Sequence, residues 1–312
     1  MGDAAGRRAG TGRIGAGEPG ASVLDSGRVG VRRWPVLRLA LVSVLVAIGL
    51  SLCDRPIPLV LGTFNIRRFP GPDTDLEAVA RAIAELDADA FAVQEIVEPR
   101  AFQAALDRAS ALSGRRYQVA LEPAHCPRRG PDMHVGVVHD VGALALLEAR
   151  MLGEFTCPEG QPAGMLALLR ASDGRRLALA SVHLSAGDTP RVRDERAAQW
   201  DWLLAALPGL HAELDAPVIV AGDFNSTGFL GADDPERRRI DALVERHALQ
   251  LPTGRLGCTM YWKPGPTSGY EVSVLDHLLA PRELALGPAE ALGMCAALAC
   301  APQAEAPAGW QS

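Results

Sequence analysis

From about residue 57 onward the chain alternates short apolar runs with segments of helical spacing, and before that point it does neither. Pro58-Leu59-Val60-Leu61-Gly62-Thr63-Phe64-Asn65-Ile66 is a nearly unbroken apolar run, which predicts a buried strand. Between Asp75 and Leu86 the residues Leu76, Val79, Ala80 and Ile83 share one helical face. Ala90-Phe91-Ala92-Val93-Gln94-Glu95-Ile96 predicts a second buried strand, and a helix is expected from roughly Ala101 to Leu112. Strands are expected near Tyr117–Leu121, Val135–Val138 and Leu166–Leu169, with a strongly buried one from Leu177 to Leu184. The segment from Arg191 to about Leu214 has helical spacing as far as Leu207, and Pro208 is expected to interrupt it because proline has no N–H to donate. Pro217-Val218-Ile219-Val220-Ala221 returns to a strand. Strands alternating with helices, with hairpin-like stretches in the middle, imply an α/β class in which sheets pack together with helices outside.

The first 56 residues follow other rules. Residues 1–33 are rich in Gly, Ala and Arg and show no apolar periodicity, as a disordered segment would. Arg28, Arg32, Arg33 and Arg38 then precede the apolar run Leu39 to Leu52. Fourteen residues are short for a membrane span and suit the core of a signal peptide. The run closes Leu50-Ser51-Leu52-Cys53-Asp54, much as a bacterial lipoprotein signal does, although Leu52 stands where Gly, Ala or Ser is usual. Lipidation at Cys53, ordinary cleavage and an uncleaved membrane anchor all stay open. Each exports the domain of residues 57–312 to the periplasm or to a membrane surface. A buried core helix fits poorly, since basic residues precede the run and Pro56 and Pro58 follow it.

Charge and cysteine usage refine this picture. Of 31 basic and 37 acidic residues, seven Arg and three acids lie in residues 1–52, which leaves 24 basic and 34 acidic residues in the domain, a balance near −10. Nucleic acid held by counterion release calls for a basic surface, so tight non-specific DNA binding is disfavoured while a local arginine cluster is not. Beyond Cys53 stand Cys126, Cys157, Cys258, Cys295 and Cys300, with no CxxC pair of the kind zinc sites use. Export would let some of these pair, and five is an odd number.

The polar residues that matter fall where apolar strands end: Asn65, Glu95, His183, and Asp223 with Asn225. Strand ends in a layered α/β fold can converge on one rim. A carboxylate there can hold a hard cation, an amide can hold a phosphate oxygen, and an imidazole can stabilise developing negative charge. Hydrolysis of a phosphate ester needs that set. Singly, each has a plainer reading: Asn65 as a turn former, Glu95 as a cap or solvated side chain, His183 as a satisfied core histidine, Asp223-Phe224-Asn225 as a turn. Together and in this order they favour a site.

At these residues the chain resembles the endonuclease/exonuclease/phosphatase family of metal-dependent phosphoesterases. Thr63-Phe64-Asn65-Ile66 is similar to the family's first motif, whose Asn helps position metal and phosphate. Val93-Gln94-Glu95 resembles the motif whose Glu binds the divalent cation, magnesium or manganese. Ser181-Val182-His183-Leu184 resembles the strand with the phosphate-stabilising His. Val220-Ala221-Gly222-Asp223-Phe224-Asn225 matches the Gly-Asp-Phe-Asn signature, whose Asp contacts nucleophile or leaving group and whose Asn holds phosphate. The resemblance implies a four-layer α/β sandwich of the deoxyribonuclease I type, two packed mixed sheets flanked by helices. It also implies catalytic roles for His183, Asp223, Asn225 and Asp276, and metal binding by Asn65 and Glu95. Glu122, in Leu121-Glu122-Pro123, resembles the Glu that pairs with the catalytic His in deoxyribonuclease I, and reads equally as a surface residue. Arg67 and Arg68 could reach a substrate phosphate or lie in a solvated loop.

Val274-Leu275-Asp276-His277-Leu278-Leu279 resembles the first of two acidic motifs that follow Gly-Asp-Phe-Asn, the one whose Asp orients the catalytic His. It lies 53 residues after Asp223 and lacks a preceding Ser, so His277 reads as incidental, pointing away from Asp276 along the strand. The second motif, Ser-Asp-His with the general base, has no match; the expectation is that the chain stops at its Ser, with feeble activity and a lost core strand as consequences. The leading expectation is a monomeric phosphodiesterase or nuclease acting on a phosphate ester such as nucleic acid or phospholipid. The alternative is an exported binding protein that kept the fold without the chemistry. The loop Cys258-Thr259-Met260-Tyr261-Trp262 and Tyr270 could stack on a base or lipid, or could simply pack.

Overall fold

Two parallel strand pairs, each closed by a crossover helix, set the architecture. In the first, β1 (Leu61–Phe69) runs through α1 (Leu76–Leu86) into β2 (Ala90–Ile96); in the second, β7 (Arg176–His183) runs through α3 (Pro190–Leu214) into β8 (Val218–Asp223). The computed structural model describes residues 58–72, 74–121, 133–152, 164–262 and 268–305. The N-terminal apolar run, Cys53, Glu122, Cys126 and Cys157 lie outside the described residues.

Each pair is built into a mixed sheet. The four-stranded sheet has the order β1-β2-β4-β3, with β4 (His134–Asp140) and β3 (Tyr117–Leu121) antiparallel to their neighbours. The six-stranded sheet has the order β5-β6-β7-β8-β12-β9, where β5 (Leu144–Met151), β6 (Gly164–Ala171), β12 (Asp276–Pro281) and the short β9 (Leu249–Gln250) pair antiparallel. A separate ribbon joins β10 (Met260–Trp262) to β11 (Glu271–Ser273). Among the described residues the other helices are α2 (Pro99–Ser113), α4 (Pro235–Arg246), α5 (Gly293–Ala297) and a 3-10 turn at Pro252–Arg255. Among the described residues no helix is long and apolar enough to cross a membrane.

Side-chain alternation decides the layers. On β2, Phe91 and Val93 pack with Ile83 of α1 and Phe102 and Leu106 of α2, while Ala90 and Ala92 face the other sheet. On β8, Val218 and Val220 pack with Trp200, Leu203 and Leu207 of α3, while Ile219 and Ala221 face back toward Ala90 and Ala92. The result is helices, sheet, sheet, helices: the four-layer α/β sandwich that the resemblance implied. Small residues line the inter-sheet seam, among them Ala167, Ala171 and Ala280.

One expectation fails here. Pro208 does not interrupt the third helix, which runs unbroken for 25 residues from Pro190 to Leu214. Pro208 itself is exposed, so its ring meets solvent rather than the core. The buried Leu203, Leu204, Leu207 and Leu214 meanwhile anchor the helix on both sides of it.

Candidate active site

The rim of the sandwich is shaped by irregularities in the backbone. Register shifts occur between Asn65 and Phe69 where β1 pairs with β2, and between Val93 and Ile96 where β2 pairs with β4. Because Val93 faces the helices, strict alternation would send Glu95 the same way. Instead Glu95 adopts a left-handed conformation, φ 63°, and the bulge re-aims its carboxylate toward Asn65. Arg67 and Arg68, at φ 46° and 51°, form the matching distortion on β1. Each such residue costs on the order of 1–2 kcal/mol, which the flanking strands must offset. On the other sheet, β7 and β8 end together, His183 in register with Asp223. They approach so closely that a Cβ on Gly222 would lie 1.9 Å from the Val182 carbonyl oxygen, which explains why glycine precedes Asp223.

Asn65 brackets the two sheets. Its Nδ2 donates to Glu95 Oε1 at 2.9 Å and to Asp223 Oδ2 at 2.8 Å, and its Oδ1 accepts from the Arg67 backbone N–H at 2.8 Å. Both amide hydrogens are thus spent on carboxylates. Glu95 Oε2 accepts from the Arg68 N–H at 3.0 Å. His183 Nε2 stands 3.8 Å from both Glu95 Oε1 and Asp223 Oδ2. The ligand atoms of Glu95, His183 and Asp223 all lie within 4.8 Å of one another. Beneath them, buried Gln94 donates to Ser181 Oγ at 3.0 Å and Ser181 donates to the Val93 carbonyl at 3.1 Å, a polar tie between the sheets.

Asp276 opens β12 directly opposite Asp223. Burial, then the negative charges of Asp223 and Glu95, push its carboxyl well above the usual carboxylate range. Its Oδ1 is buried and has no hydrogen-bond partner among the described residues. His277 lies on the opposite face of the strand, wholly buried against Phe224, Phe229 and Trp200. Its Nε2 is 2.6 Å from Ser226 Oγ and its Nδ1 is 3.4 Å from Thr253 Oγ1. So it points away from Asp276 as the sequence suggested, but as a buried cross-link rather than an idle residue.

Three carboxylates therefore crowd one rim, and no Arg or Lys is ion-paired with any of them among the described residues. The donor set that converges here, the carboxylates of Glu95 and Asp223 with the His183 imidazole, fits a divalent cation, while the Asn65 amide nitrogen ties the two carboxylates together. The uncompensated charge and the orphaned Asp276 oxygen give such a cation a physical reason to bind.

The remaining expectations sort as follows. Asn225, at φ 49°, donates from Nδ2 to the Leu184 carbonyl at 3.0 Å, and its N–H donates to Asp223 Oδ1 at 2.8 Å, which leaves one amide hydrogen for a ligand. Arg67 and Arg68 are exposed beside the cluster. Tyr261 packs: it is buried with Cys258 and Cys295, and its hydroxyl donates to the Ala301 carbonyl. Tyr270 forms a backbone bridge to Gln303 and flanks the same small core. Cys258 and Cys300 are disulfide-bonded, and Cys295 beside them is a buried thiol pushed up to about 12 by burial. This second cluster therefore does not offer three thiolate ligands. Sequence reading missed Gln94, Ser181, Ser226 and Arg196 as parts of the site's support. The only signal they gave was a polar residue inside an apolar run or helix face.

A family model described as the Endonuclease/Exonuclease/phosphatase family matches residues 62–300. No curated protein matches the chain by sequence. Among solved structures, an endonuclease/exonuclease/phosphatase family protein from Bacteroides thetaiotaomicron superposes with a TM-score of 0.54 at 15% identity, covering 72% of this chain and 82% of that one. A mannosyl-6-phosphatase from the same organism gives 0.53 at 15% identity over 72% and 86%. TDP2 from D. rerio, complexed with a single-strand DNA product, gives 0.51 at 19% identity over 73% and 85%. At these identities the structural matches speak for the fold.

Proposed function

The chain belongs to the Endonuclease/Exonuclease/phosphatase family, and from that premise we propose that it is a divalent-metal-dependent phosphodiesterase or nuclease. One observation carries the reading: Asn65, Glu95, His183 and Asp223, from four strands of two sheets, stand within mutual reach at one rim. Glu95 and Asp223 would hold the cation, magnesium or manganese, and Asn65, bonded through its amide nitrogen to both carboxylates, would join them only if its amide turned to present the oxygen. Once bound, it would supply Lewis-acid polarisation of a phosphoryl oxygen. The protein's own groups do the rest. His183 donates to a phosphoryl oxygen as negative charge builds on it. The unused amide hydrogen of Asn225 holds a second oxygen of the same phosphate. Asp223, fixed by Asn65 and by the Asn225 N–H, aligns the attacking water or the leaving oxygen. Arg67 and Arg68 neutralise the adjoining phosphate of a diester substrate.

Among the described residues no histidine is hydrogen-bonded to Asp276, and its Oδ1 has no partner there. Turnover by this chain is accordingly expected to be weak. The same observation favours the second reading, an exported binding protein with the fold but without efficient chemistry. Export itself draws on the apolar run Leu39 to Leu52 within residues 1–56, and the Cys258–Cys300 disulfide supports an oxidising compartment, the periplasm or a membrane surface.

The test is hydrolysis of plasmid DNA and of a phosphodiester reporter, with Mg2+ or Mn2+ and with EDTA. Cation-dependent cleavage abolished by Asp223→Ala is the expected result. A folded protein that binds Mn2+ yet cleaves neither substrate moves weight to the binding-protein reading. One that binds no Mn2+ at all removes the metal-dependent reading.

A further inference from the structure

We propose that Arg196, in the middle of the crossover helix α3, is the positioning residue that holds in place the two rim loops following His183 and Asp223. It would thereby set the geometry of the Glu95–His183–Asp223 cluster; the inference rests on the metal-dependent reading above. Residues 184–188 and 224–226 form neither helix nor strand, so side chains must hold their polar groups. Arg196 reaches both loops. Nη1 donates to the Ser185 carbonyl at 3.1 Å and to the Gly187 carbonyl, and Nη2 donates to Thr227 Oγ1 at 3.2 Å. Nε donates to Glu236 Oε1 at 2.8 Å, and the other oxygen of Glu236 accepts from the Gly228 N–H at 3.0 Å. One turn further along α3, Gln199 accepts from the Ser185 N–H at 2.9 Å and donates to Ser185 Oγ at 3.1 Å. Between the loops, Asn225 donates to the Leu184 carbonyl.

The arrangement has a simple logic. α3 joins β7 to β8, and from its middle it reaches back to pin the chain where each of those strands ends. Arg196 has no solvent exposure. Burying a charge only to stabilise the fold would be a poor use of the position, since apolar residues of similar volume often do as well or better. What apolar residues cannot do is satisfy four acceptors on two loops and α4 at fixed angles, which a planar guanidinium does. Lysine offers a single ammonium centre, so Arg196→Lys keeps the charge and loses the fork. His183 and Asn225 then lose a common reference.

The experiment compares wild type with Arg196→Lys by hydrogen–deuterium exchange and by Mn2+ binding followed by EPR. Outer residues that orient metal ligands typically cost about 10–100-fold in metal affinity when changed. The expected result is faster exchange confined to peptides covering 184–189 and 224–229, unchanged exchange in β2 and β6, and Mn2+ affinity about 10-fold or more weaker. Unchanged exchange in both loops overturns the proposal, as does exchange that rises uniformly through the sheet, the mark of a merely structural residue. If Arg196→Lys fails to fold, Glu236→Gln serves; it is expected to give the same local pattern with a smaller effect, and uniform exchange overturns the proposal again. If the wild type binds no Mn2+, the metal-dependent reading fails by itself, and loop exchange alone decides the role of Arg196.

Discussion

Lowering the pH from 7.5 to 5.0 should weaken this fold through its buried imidazoles, His277 above all, with His139, also held below the usual histidine range by burial, acting in the same direction. His277 is wholly buried, and burial followed by the positive charge of Arg237 lowers its pKa from 6.5 to about 3. The unfolded chain therefore takes up the proton more readily than the folded one. The stability that neutral His277 contributes is full above about pH 6.5, declines as the pH falls below that value, and is lost completely near pH 3. The gap of roughly 3.5 pH units corresponds to about 5 kcal/mol in total, of which about 2 kcal/mol is lost between pH 7.5 and pH 5.0. His277→Gln removes the titration but keeps a polar side chain facing Ser226. At neutral pH it should cost about 1–3 kcal/mol, because the bonds to Ser226 and Thr253 are disturbed. Between pH 7.5 and 5.0 its stability should fall by about 2 kcal/mol less than that of the wild type. Urea unfolding of both proteins at the two pH values measures the difference. Parallel pH profiles would show that His277 is not the titrating group and would refute the argument.

Two further expectations concern the rim and its small satellite core. Gly222→Ala drives a methyl group into the Val182 carbonyl and so forces β7 from β8 where His183 and Asp223 sit; it should cost about 3 kcal/mol and abolish Mn2+ binding, read by thermal melts and EPR. The Cys258–Cys300 disulfide closes a loop with a sequence separation of 42, so its reduction should lower stability by about 4 kcal/mol, measured by urea unfolding with and without a phosphine reductant.

The strands that carry the candidate site were legible because β2, β7 and β8 are buried on both faces and β1, half-buried at the sheet edge, is still mostly apolar. β1, β2, β7 and β8 read as unbroken apolar runs, and the polar residue that ends each run marks the rim. Elements with mixed exposure were not legible. β5 alternates poorly, with Leu146 and Leu147 exposed, and α4 is dominated by Arg, Asp and Glu. The re-aiming of Glu95 was also invisible, because a left-handed residue in mid-strand follows from what surrounds it rather than from its own propensity. Pro208 misled for the opposite reason: a strong local rule yielded to tertiary packing of the leucines around it. Arg196 looked like one more charged position on a helix, and nothing local shows that its partners lie in two loops on either side of that helix in sequence.

Asn65 and Asp223 are separated by 158 residues, yet one amide bridges the carboxylates of both halves of the sandwich. Neither half owns a complete cluster: Asn65 and Glu95 belong to the first βαβ unit, His183 and Asp223 to the second. Cation affinity should therefore arise only when the halves dock, as a late event in folding. A cation held this way also acts as a clasp, adding about 2.7 kcal/mol to the docked state at a hundred times its Kd. Two fragments divided in the β4–β5 turn, between the four-stranded and the six-stranded sheet, would each lack the complete cluster, and mixing them would give a direct signal of their reassembly.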